Sequence, residues 1–462
     1  MTQKILGTRD VFLMNVAANL GPRWIAVAAA LGAVSLLFWF LGAIFFLLPF
    51  SLIIVELACA HPEEGGIYVW VRKHLGGGCA FIVAWCYWVN NFFFYPAILT
   101  FFAASLVYAF GRPDLAKDTT FITSMGILVF WGITGLTFFG IKMSQWMGSF
   151  GGISTTLIFL LLIALGASAF CISHTSATPF HLGSFLPRGS LVENLSSLSI
   201  LMFAMAGVEI IPTLATSIRK PEIVLPKALI FFSFFMFFSY ALATLSMNII
   251  LSPDEIKDTT GLINAFELVG AKFDMPYLAR FIAAFMAGSE VSALMLWLLV
   301  PAIMFFKVTQ KGILPPFFHR ENKNGVPTNA LLLQAVLVTI ILLCTSLLPS
   351  VNLMYQALVL MTTIIYFIPY FFVLLAYIKF KRGKIRGSYA VPGGNIGAFI
   401  LSSLVFLSLL FAIGFSFVPT ANLTSLREIL VYESELVCGT LITFLAALIL
   451  YRRRKKTHER KS

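Results

Sequence analysis

The sequence predicts an all-α integral membrane protein with twelve transmembrane helices, and three observations predict it. Of the 462 residues, 59% are hydrophobic and only 11% are charged, whereas soluble domains are about half apolar. Twelve apolar segments of about 18 to 30 residues can be marked, and each is long enough to cross a bilayer as a helix. Lys and Arg are also shared unequally between the loops on the two sides of the predicted membrane.

The twelve predicted spans follow one another with short connections and are numbered here in chain order. Their boundaries are 10-30, 32-60, 79-110, 120-141, 146-171, 194-218, 225-251, 277-306, 328-348, 352-378, 396-418 and 430-451. The first span follows directly on a short N-terminal stretch without a cleavage signature, so we expect it to be retained as a helix and not removed as a signal peptide.

The basic residues predict the orientation. If both termini are cytoplasmic, 24 of the 32 Lys and Arg residues lie on the cytoplasmic side and 8 lie outside, as the positive-inside rule requires. The net charge of +12 therefore reflects topology, and no nucleic-acid partner is expected. The basic tail, 452-462, is interpreted as a stop-transfer anchor, although it also suits contact with anionic membrane lipids.

Metal, cofactor and catalytic sites are not expected. The six cysteines lie on different segments without a CxxC pair, and the six histidines fall at span ends, in loops or in the tail. Neither pattern favours a disulfide framework, a zinc site or acid-base catalysis inside the membrane. The loops contain no phosphate-binding glycine motif either. We therefore predict no cofactor, no metal, no catalytic residues and no enzyme activity.

Span 1 looks interrupted. Within VFLMNVAANLGPRWIAVAAALG, the residues Asn15, Asn19, Gly21, Pro22 and Arg23 break an otherwise apolar helix. Glycine and proline weaken a helix and free backbone groups, which at membrane depth only a protein-lined cavity can satisfy.

Span 6 is interrupted in the same way. The stretch LMFAMAGVEIIPTLATSI carries Gly207, the ionisable Glu209 and Pro212 near its middle. A charge at this depth costs about 2.5 kcal/mol or more unless it faces a partner or water, so it is a candidate functional residue. Breaks five helices apart are typical of inverted repeats, which predicts that 10-171 is mirrored by 194-378, with 396-451 packed outside.

Several longer motifs carry a family resemblance. They are PFSLIIVELACAHPEEGGIYVWVRKHLG, AMAGVEIIPTLATSIRKPEIVLPKA, ENKNGVPTNALLLQ, and IIYFIPYFFVLLAYI followed by YAVPGG. In this order they resemble the amino acid-polyamine-organocation superfamily, and within it the bacterial glutamate/GABA antiporter group. The resemblance implies a single transporter domain (1-462) of the LeuT type, with five plus five inverted helices, discontinuous helices 1 and 6, and a bacterial inner-membrane location.

The sequence departs from those relatives in two places. Members of the glutamate/GABA group can carry a long C-terminal plug, whereas only about ten residues follow Tyr451 here. Some relatives place a lysine inside span 5, but GSFGGISTTLIFLLLIAL has none. Closure by a plug and a lysine-based proton site are therefore not expected.

The two breaks are the predicted substrate site. Carbonyl and N-H groups freed there can hold the ammonium and carboxylate of an amino acid. The predicted contributors are Val16, Ala17, Ala18 and Asn19 in span 1 and Phe203, Ala204, Met205, Ala206 and Gly207 in span 6. The alternative is that these small residues only allow close helix packing.

Other candidates come from polar and aromatic residues in the spans. By resemblance, Glu209 is a proton-responsive gate, Trp297 stacks on substrate, and Tyr366 and Tyr370 line or gate the pathway; a paired structural acid and ordinary packing are the alternatives. One of Asn90 and Asn91 is expected to face the cavity and the other to bond a neighbouring helix.

Two further acids lie in the predicted spans. Glu290 is expected either to bind a proton or to pair with a cationic substrate group, and Glu56 to pair with a loop cation such as Arg72.

We therefore predict a secondary active amino acid transporter, either an antiporter or a proton-coupled permease, that works by alternating access. The alternatives are a sodium-coupled symporter and a non-transporting amino acid receptor. The expected partners are a small amino acid or amine, protons and membrane lipids. Neither the amino acid carried nor the oligomeric state follows from the sequence.

Overall fold

The chain is all-helical in the computed structural model, which describes residues 4–187, 191–256, 261–272, 274–309, 316–347, 351–383, 387–417, 437 and 440–452. The helices of the first part are α1 Thr8–Asn19, α2 Arg23–Ala29, α3 Val34–Gly42, α4 Leu48–Ala60, α5 Ile67–Leu75, α6 Gly77–Val89, α7 Asn91–Ala109, α8 Thr119–Thr137 and α9 Ile141–Ser173. Those of the second part are α10 Leu191–Ala204, α11 Pro221–Ile250, α12 Gly261–Lys272, α13 Leu278–Thr309, α14 Thr328–Thr345, α15 Val351–Arg382 and α16 Gly394–Ser416. A last helical segment covers Thr440–Arg452.

The helical membrane architecture is confirmed. Within the described ranges, eight helices are long and apolar enough to cross a membrane, and the bent pair α1 and α2 makes a ninth candidate. The predicted spans 6, 9 and 12 correspond to the shorter apolar helices Leu195–Ala204, Thr328–Cys344 and Thr440–Arg452. The total of twelve spans and the inverted repeat remain predictions.

Helices α5 and α12 lie outside the predicted spans. Helix α12 lies between predicted spans 7 and 8, in a segment that the sequence analysis treats as a loop. Leu262, Ile263 and Phe266 are fully buried on its inner side, as expected for one face of an amphipathic helix. At 12 residues it is shorter than a membrane span.

Both breaks exist, and the first lies slightly later than predicted. Helix α1 continues through Asn19 and the chain bends by 53° before α2, so Val16 to Asn19 are still helical and the break comprises Leu20, Gly21 and Pro22. Proline has no N–H and cannot continue the hydrogen-bond ladder of α1. In span 6, α10 ends at Ala204 and a 3-10 turn begins only at Ile211.

The start of α1 defines one face of the fold, here called the N-terminal face. Leu6 donates its backbone N–H to the carbonyl oxygen of Ser217 at 3.0 Å, and Gly65 donates to Thr213 at 3.0 Å. The ammonium of Lys307 lies 2.8 Å from Glu64. These contacts close the N-terminal face below the two breaks.

Glycines bring α1 close to α9. A Cβ atom at Gly152 would collide with the backbone of Leu13, and one at Gly148 would lie 2.8 Å from the side chain of Met14. Small residues of this kind let transmembrane helices approach closely. The packing holds the middle of α1 against α9.

Candidate functional site

A small cavity lies between the two breaks. It is lined by Ala18, Asn19, Arg23, Trp24, Asn90, Phe94, Phe203, Ala204, Ala206, Trp297 and Tyr366. Each of these eleven residues is at most 7% exposed, so the cavity is narrow and lies deep in the protein. Its volume of about 20 Å³ has room for little more than one water molecule.

The two breaks are tied to each other. The side-chain amide of Asn19 donates to the carbonyl oxygen of Gly207 at 3.1 Å. Gly207 has φ of +109°, a conformation that favours glycine. A Cβ atom there would collide with Asn19 Oδ1. The glycine is therefore required both by the backbone conformation and by this contact.

Tyrosine hydroxyls accept hydrogen bonds from the glycine N–H groups of both breaks. The N–H of Gly21 donates to the hydroxyl of Tyr240 at 3.0 Å, and the N–H of Gly207 donates to the hydroxyl of Tyr370 at 3.1 Å. Within the described part of the chain, no hydrogen bond reaches the carbonyl oxygens of Ala204, Met205 or Ala206. The span 6 break thus offers free acceptors, while both glycine donors are in use.

Glu209 is held by three tyrosines. Its Oε1 accepts from Tyr87 at 2.9 Å and from Tyr366 at 2.5 Å, and its Oε2 accepts from Tyr370 at 2.7 Å. The residue is fully buried. An ionised carboxylate is an acceptor only, so three donors suit the charged form, although no Lys or Arg of the described residues forms an ion pair with it.

The Glu209 cluster lies on the N-terminal-face side of the cavity. Tyr366 lines the cavity, and Tyr370 follows one turn later along α15 in the direction of Lys381, which contacts Glu56. Glu209 likewise lies between Gly207 and Thr213, and Thr213 binds Gly65 at the N-terminal face. The cluster therefore joins α6, α15 and the span 6 break beneath the cavity.

An ion pair lies on the opposite side of the cavity. Arg23 Nη1 is 2.6 Å from Glu290 Oε2, and the two side chains are 3% and 1% exposed. The pair connects the first residue of α2 to α13. The guanidinium carbon also lies 5.0 Å from the ring centroid of Trp24 and 5.4 Å from that of Phe94, distances typical of cation–π contacts.

Aromatic rings build most of the remaining wall. Phe203 meets Trp24 edge-on at 5.7 Å and Tyr366 at 5.6 Å between ring centroids. Trp297 meets Phe94 edge-on at 5.3 Å, and its indole Nε1 donates to the carbonyl oxygen of Ala18 at 2.8 Å. Aromatic pairs favour such edge-to-face arrangements. The wall is thus apolar, with the polar groups concentrated at the breaks.

The comparison with known families decides the class of protein. The model of the amino acid permease family matches residues 6–454, which is nearly the whole chain. The chain belongs to the amino acid permease family. It is therefore a multi-pass membrane transporter and not an enzyme, and the family implies the LeuT-like fold.

Individual relatives are similar over most of their length. The permease is 29% identical to an uncharacterized transporter of Legionella pneumophila over 445 residues, which cover 96% of this chain and 95% of the relative. It is 25% identical to the glutamate/gamma-aminobutyrate antiporter of Lactococcus lactis over 425 residues, or 90% and 84% of the two chains. It is also 25% identical to the arginine/ornithine antiporter of Pseudomonas aeruginosa over 362 residues, or 76% and 72%.

The permease brings most of the predicted substrate-binding residues to the cavity. Those that line it are Ala18, Asn19, Asn90, Phe203, Ala204, Ala206, Trp297 and Tyr366. The predicted residues that do not line it are Val16, Ala17, Met205, Gly207, Glu209, Glu290 and Tyr370. Gly207 still contacts Asn19, and Glu209 and Tyr370 lie directly below Tyr366, whereas Met205 packs towards Gly42 in α3.

Three expectations for single polar residues can be compared with the permease structure. Asn90 lines the cavity, and Asn91 Nδ2 donates to the carbonyl oxygen of Tyr87 in its own span at 2.6 Å instead of to a neighbouring helix. The expected pairing of Glu56 with Arg72 is wrong. Glu56 lies 2.8 Å from Lys381 and accepts from Tyr377 at 2.5 Å, so both partners come from the C-terminal end of α15.

Sequence reasoning missed four residues of the permease site. Arg23 was interpreted only as part of the break, and Trp24, Tyr87 and Phe94 were not singled out. Arg23 carried a usable signal, because it is a charge inside a predicted span, as Glu209 is. The three aromatic residues carried none, since phenylalanine, tyrosine and tryptophan make up 15% of the chain. Among the described residues, no group of three or more His, Cys, Asp and Glu could hold a metal ion.

Proposed function

We propose that this permease is a secondary active amino acid transporter, an antiporter or a proton-coupled permease, that works by alternating access through the cavity between its two breaks. The observation that carries the proposal is the buried cavity itself, which lies between the broken helices with the Glu209 cluster and the Arg23–Glu290 pair beside it. Its relatives, which include amino acid antiporters, support the same class. Spans 1–5 and 6–10 would form the two inverted repeats, with both termini cytoplasmic in a bacterial inner membrane.

The span 6 break is the proposed receptor for the substrate ammonium. The carbonyl oxygens of Ala204, Met205 and Ala206 accept no hydrogen bond from the described residues, and an ammonium supplies three donors. Ala204 and Ala206 line the cavity, and their small side chains let a ligand approach the backbone. Trp297 and Phe203 provide flat apolar surfaces for the carbon skeleton.

Glu209 is the proposed switch between conformations. Its carboxylate holds Tyr87, Tyr366 and Tyr370 together, and protonation would turn one acceptor oxygen into a donor. At least one tyrosine hydroxyl would then lose its acceptor, which loosens the contact between α6, α15 and the break. A proton would thereby shift the population towards a state open at the N-terminal face.

Counterflow in proteoliposomes tests the proposed function. Purified protein is reconstituted in liposomes loaded with one unlabelled amino acid, and uptake of the same labelled amino acid is followed without any ion gradient. The panel contains the twenty amino acids, their decarboxylated amines and GABA. We expect transient accumulation for at least one amino acid, and a receptor that does not transport would give binding without accumulation.

The coupling ion is tested with the same vesicles. Uptake is measured at pH 5 and 7.5, with and without external sodium. We expect uptake or exchange to change with pH and not with sodium. Dependence on sodium without dependence on pH would identify a sodium symporter and contradict the proposed role of Glu209.

A further inference from the structure

Arg23 brings a fixed positive charge into the wall of the cavity. It lines the cavity together with ten residues whose side chains are uncharged, and its own side chain is 3% exposed. Glu290, its partner, does not line the cavity. A ligand in the cavity therefore meets the cation of this pair and not the anion.

The hydrogen-bonding capacity of Arg23 is largely unused. A guanidinium has five N–H donors, and within the described residues its side chain donates one hydrogen bond, from Nη1 to Glu290 at 2.6 Å. The rings of Trp24 and Phe94 flank the group at 5.0 and 5.4 Å, and rings accept no conventional hydrogen bond. The remaining donors border the cavity and reach no acceptor among the described residues, so a ligand or water in the cavity can accept from them.

The glycine N–H groups of the two breaks offer little to a carboxylate in the same place. The N–H groups of Gly21 and Gly207, one in each break, already donate to Tyr240 and Tyr370. A carboxylate that entered the cavity would have to displace a tyrosine hydroxyl or find another donor. Arg23 is that donor, because a guanidinium matches a carboxylate with two parallel hydrogen bonds.

We propose that the guanidinium of Arg23 is the carboxylate receptor of the cavity, and that Glu290 occupies it while the cavity is empty. The inference rests on the proposed transport function and adds the residue that recognises the substrate carboxylate. The permease would carry small molecules that have a carboxylate as well as an ammonium, and would not carry diamines such as putrescine. The substrate carboxylate and the carboxylate of Glu290 would compete for the same cation.

The double variant R23Q/E290Q distinguishes a carboxylate receptor from a purely structural ion pair. Removing one partner of a buried pair leaves the other charge uncompensated, whereas removing both can be neutral for stability. If the ion pair is only structural, the double variant R23Q/E290Q should recover both the stability and the substrate affinity of wild type. A carboxylate receptor predicts that the double variant folds but still binds poorly, since no cation is left in the wall.

The experiment measures binding to the purified full-length protein, with the amino acid that gives the strongest counterflow as one probe and putrescine as the other. The variants are R23Q, R23K, E290Q and R23Q/E290Q. The matched control is R112Q/D114N, an exposed pair outside the site whose atoms lie 2.9 Å apart. Folding is followed by size-exclusion chromatography and thermal melting.

We expect wild type and R112Q/D114N to bind the amino acid and not putrescine. E290Q should bind it at least threefold more tightly, because the competitor is gone. R23Q and R23Q/E290Q should bind it at least tenfold more weakly, with R23K in between. Recovery of wild-type affinity in the double variant, or binding of putrescine as tight as that of the amino acid, would overturn the proposal.

Two outcomes keep this proposal distinct from the transport function. If no amino acid gives counterflow with wild type, the transport function fails, and the carboxylate role fails with it. If counterflow is normal and E290Q binds no more tightly, only the role of Arg23 is refuted. The comparison of E290Q with wild type tests the role of Arg23 even if R23Q does not fold, because E290Q retains the proposed receptor.

Discussion

The indole Nε1 of Trp297 donates a 2.8 Å hydrogen bond to the carbonyl oxygen of Ala18, the penultimate residue of α1. At a helix end this carbonyl has no partner within the helix. The bond therefore satisfies a group freed by the first break and, at the same time, fixes the ring in the cavity wall. One side chain links the backbone of the break to the surface on which a substrate would lie.

The variant W297F tests the hydrogen bond to Ala18 while it retains an aromatic ring in the cavity wall. Phenylalanine keeps an aromatic ring but leaves the Ala18 carbonyl without its donor, which costs about 1–3 kcal/mol for a buried group. We expect lower thermal stability and weaker counterflow. The matched control is W146F, at a tryptophan that is 63% exposed. Equal melting temperatures for W297F and wild type would contradict the importance of this bond.

The variant G207A tests the fit between the two breaks. Alanine at φ of +109° costs at least about 1 kcal/mol, and its Cβ would collide with Asn19 Oδ1. We expect a large loss of transport and a lower melting temperature. The control G132A lies in helix α8, where a Cβ meets no atom within 4 Å, and alanine is the better helix former there by about 1 kcal/mol. Normal transport by G207A would show that the breaks need not touch.

The variant E209Q tests the proposed switch. A glutamine amide has one acceptor oxygen where the carboxylate has two, so at least one of Tyr87, Tyr366 and Tyr370 must accept from the amide or turn to another acceptor. Glutamine also cannot take up a proton near neutral pH. We expect slower exchange whose rate no longer changes between pH 5 and 7.5. A pH profile identical to wild type would remove Glu209 from the coupling.

The variant Y366F provides the companion measurement. It removes one donor to Glu209, the hydrogen bond at 2.5 Å, and retains the titratable carboxylate and the aromatic ring. We expect slower exchange that still depends on pH, because the carboxylate is retained while one of its three donors is gone. Exchange at the wild-type rate would contradict the importance of this contact.

A histidine pair at the N-terminal face predicts pH-dependent stability. Lys73 Nζ lies 3.2 Å from His61 Nδ1, so the neutral ring of His61 carries its hydrogen on Nε2 and donates it to His74 Nε2 at 3.0 Å. Burial, followed by the charge of Lys73, lowers the pKa of His61 from 6.5 to about 4. The same two causes lower the pKa of His74.

The sign of the effect follows from linkage. Unfolded histidine takes up a proton near pH 6.5, whereas folded His61 resists protonation down to about pH 4. The stabilisation is therefore present above pH 6.5 and is lost as the pH falls from 6.5 towards 4. We expect the melting temperature to fall across this range, and to fall less in H61Q/H74Q. An equal decrease in wild type and variant would assign the effect to other groups.

Particular residues show how far the sequence predicts the fold. Gly21, Pro22, Gly207 and Pro212 indicated both breaks, because these residue types act on the backbone locally. The first break was predicted a few residues early, since Asn19 is still helical and α1 continues almost to the Gly21–Pro22 pair. Helix α12 was missed because its 12 residues are too short for a hydropathy criterion.

The site was predicted less completely than the fold, for a physical reason. Ala18, Asn19 and Ala206 follow from the breaks, since neighbours in sequence lie near a break in space. The partners of Glu209 and Glu290 come from distant helices, and neither periodicity nor composition indicates that Tyr87 or Arg23 reaches them. The role of Tyr370 at the Gly207 amide likewise depends on how α15 packs against the span 6 break.

The small volume of the cavity has a consequence for measured affinity. A chamber of about 20 Å³ cannot admit an amino acid, so a ligand must select a wider and less populated conformation. The observed dissociation constant then equals the intrinsic one divided by the population of that conformation. Weak apparent affinity would accordingly coexist with close contacts in the loaded state, and substitutions that merely relax the aromatic wall would tighten binding without adding a single new bond to the cargo.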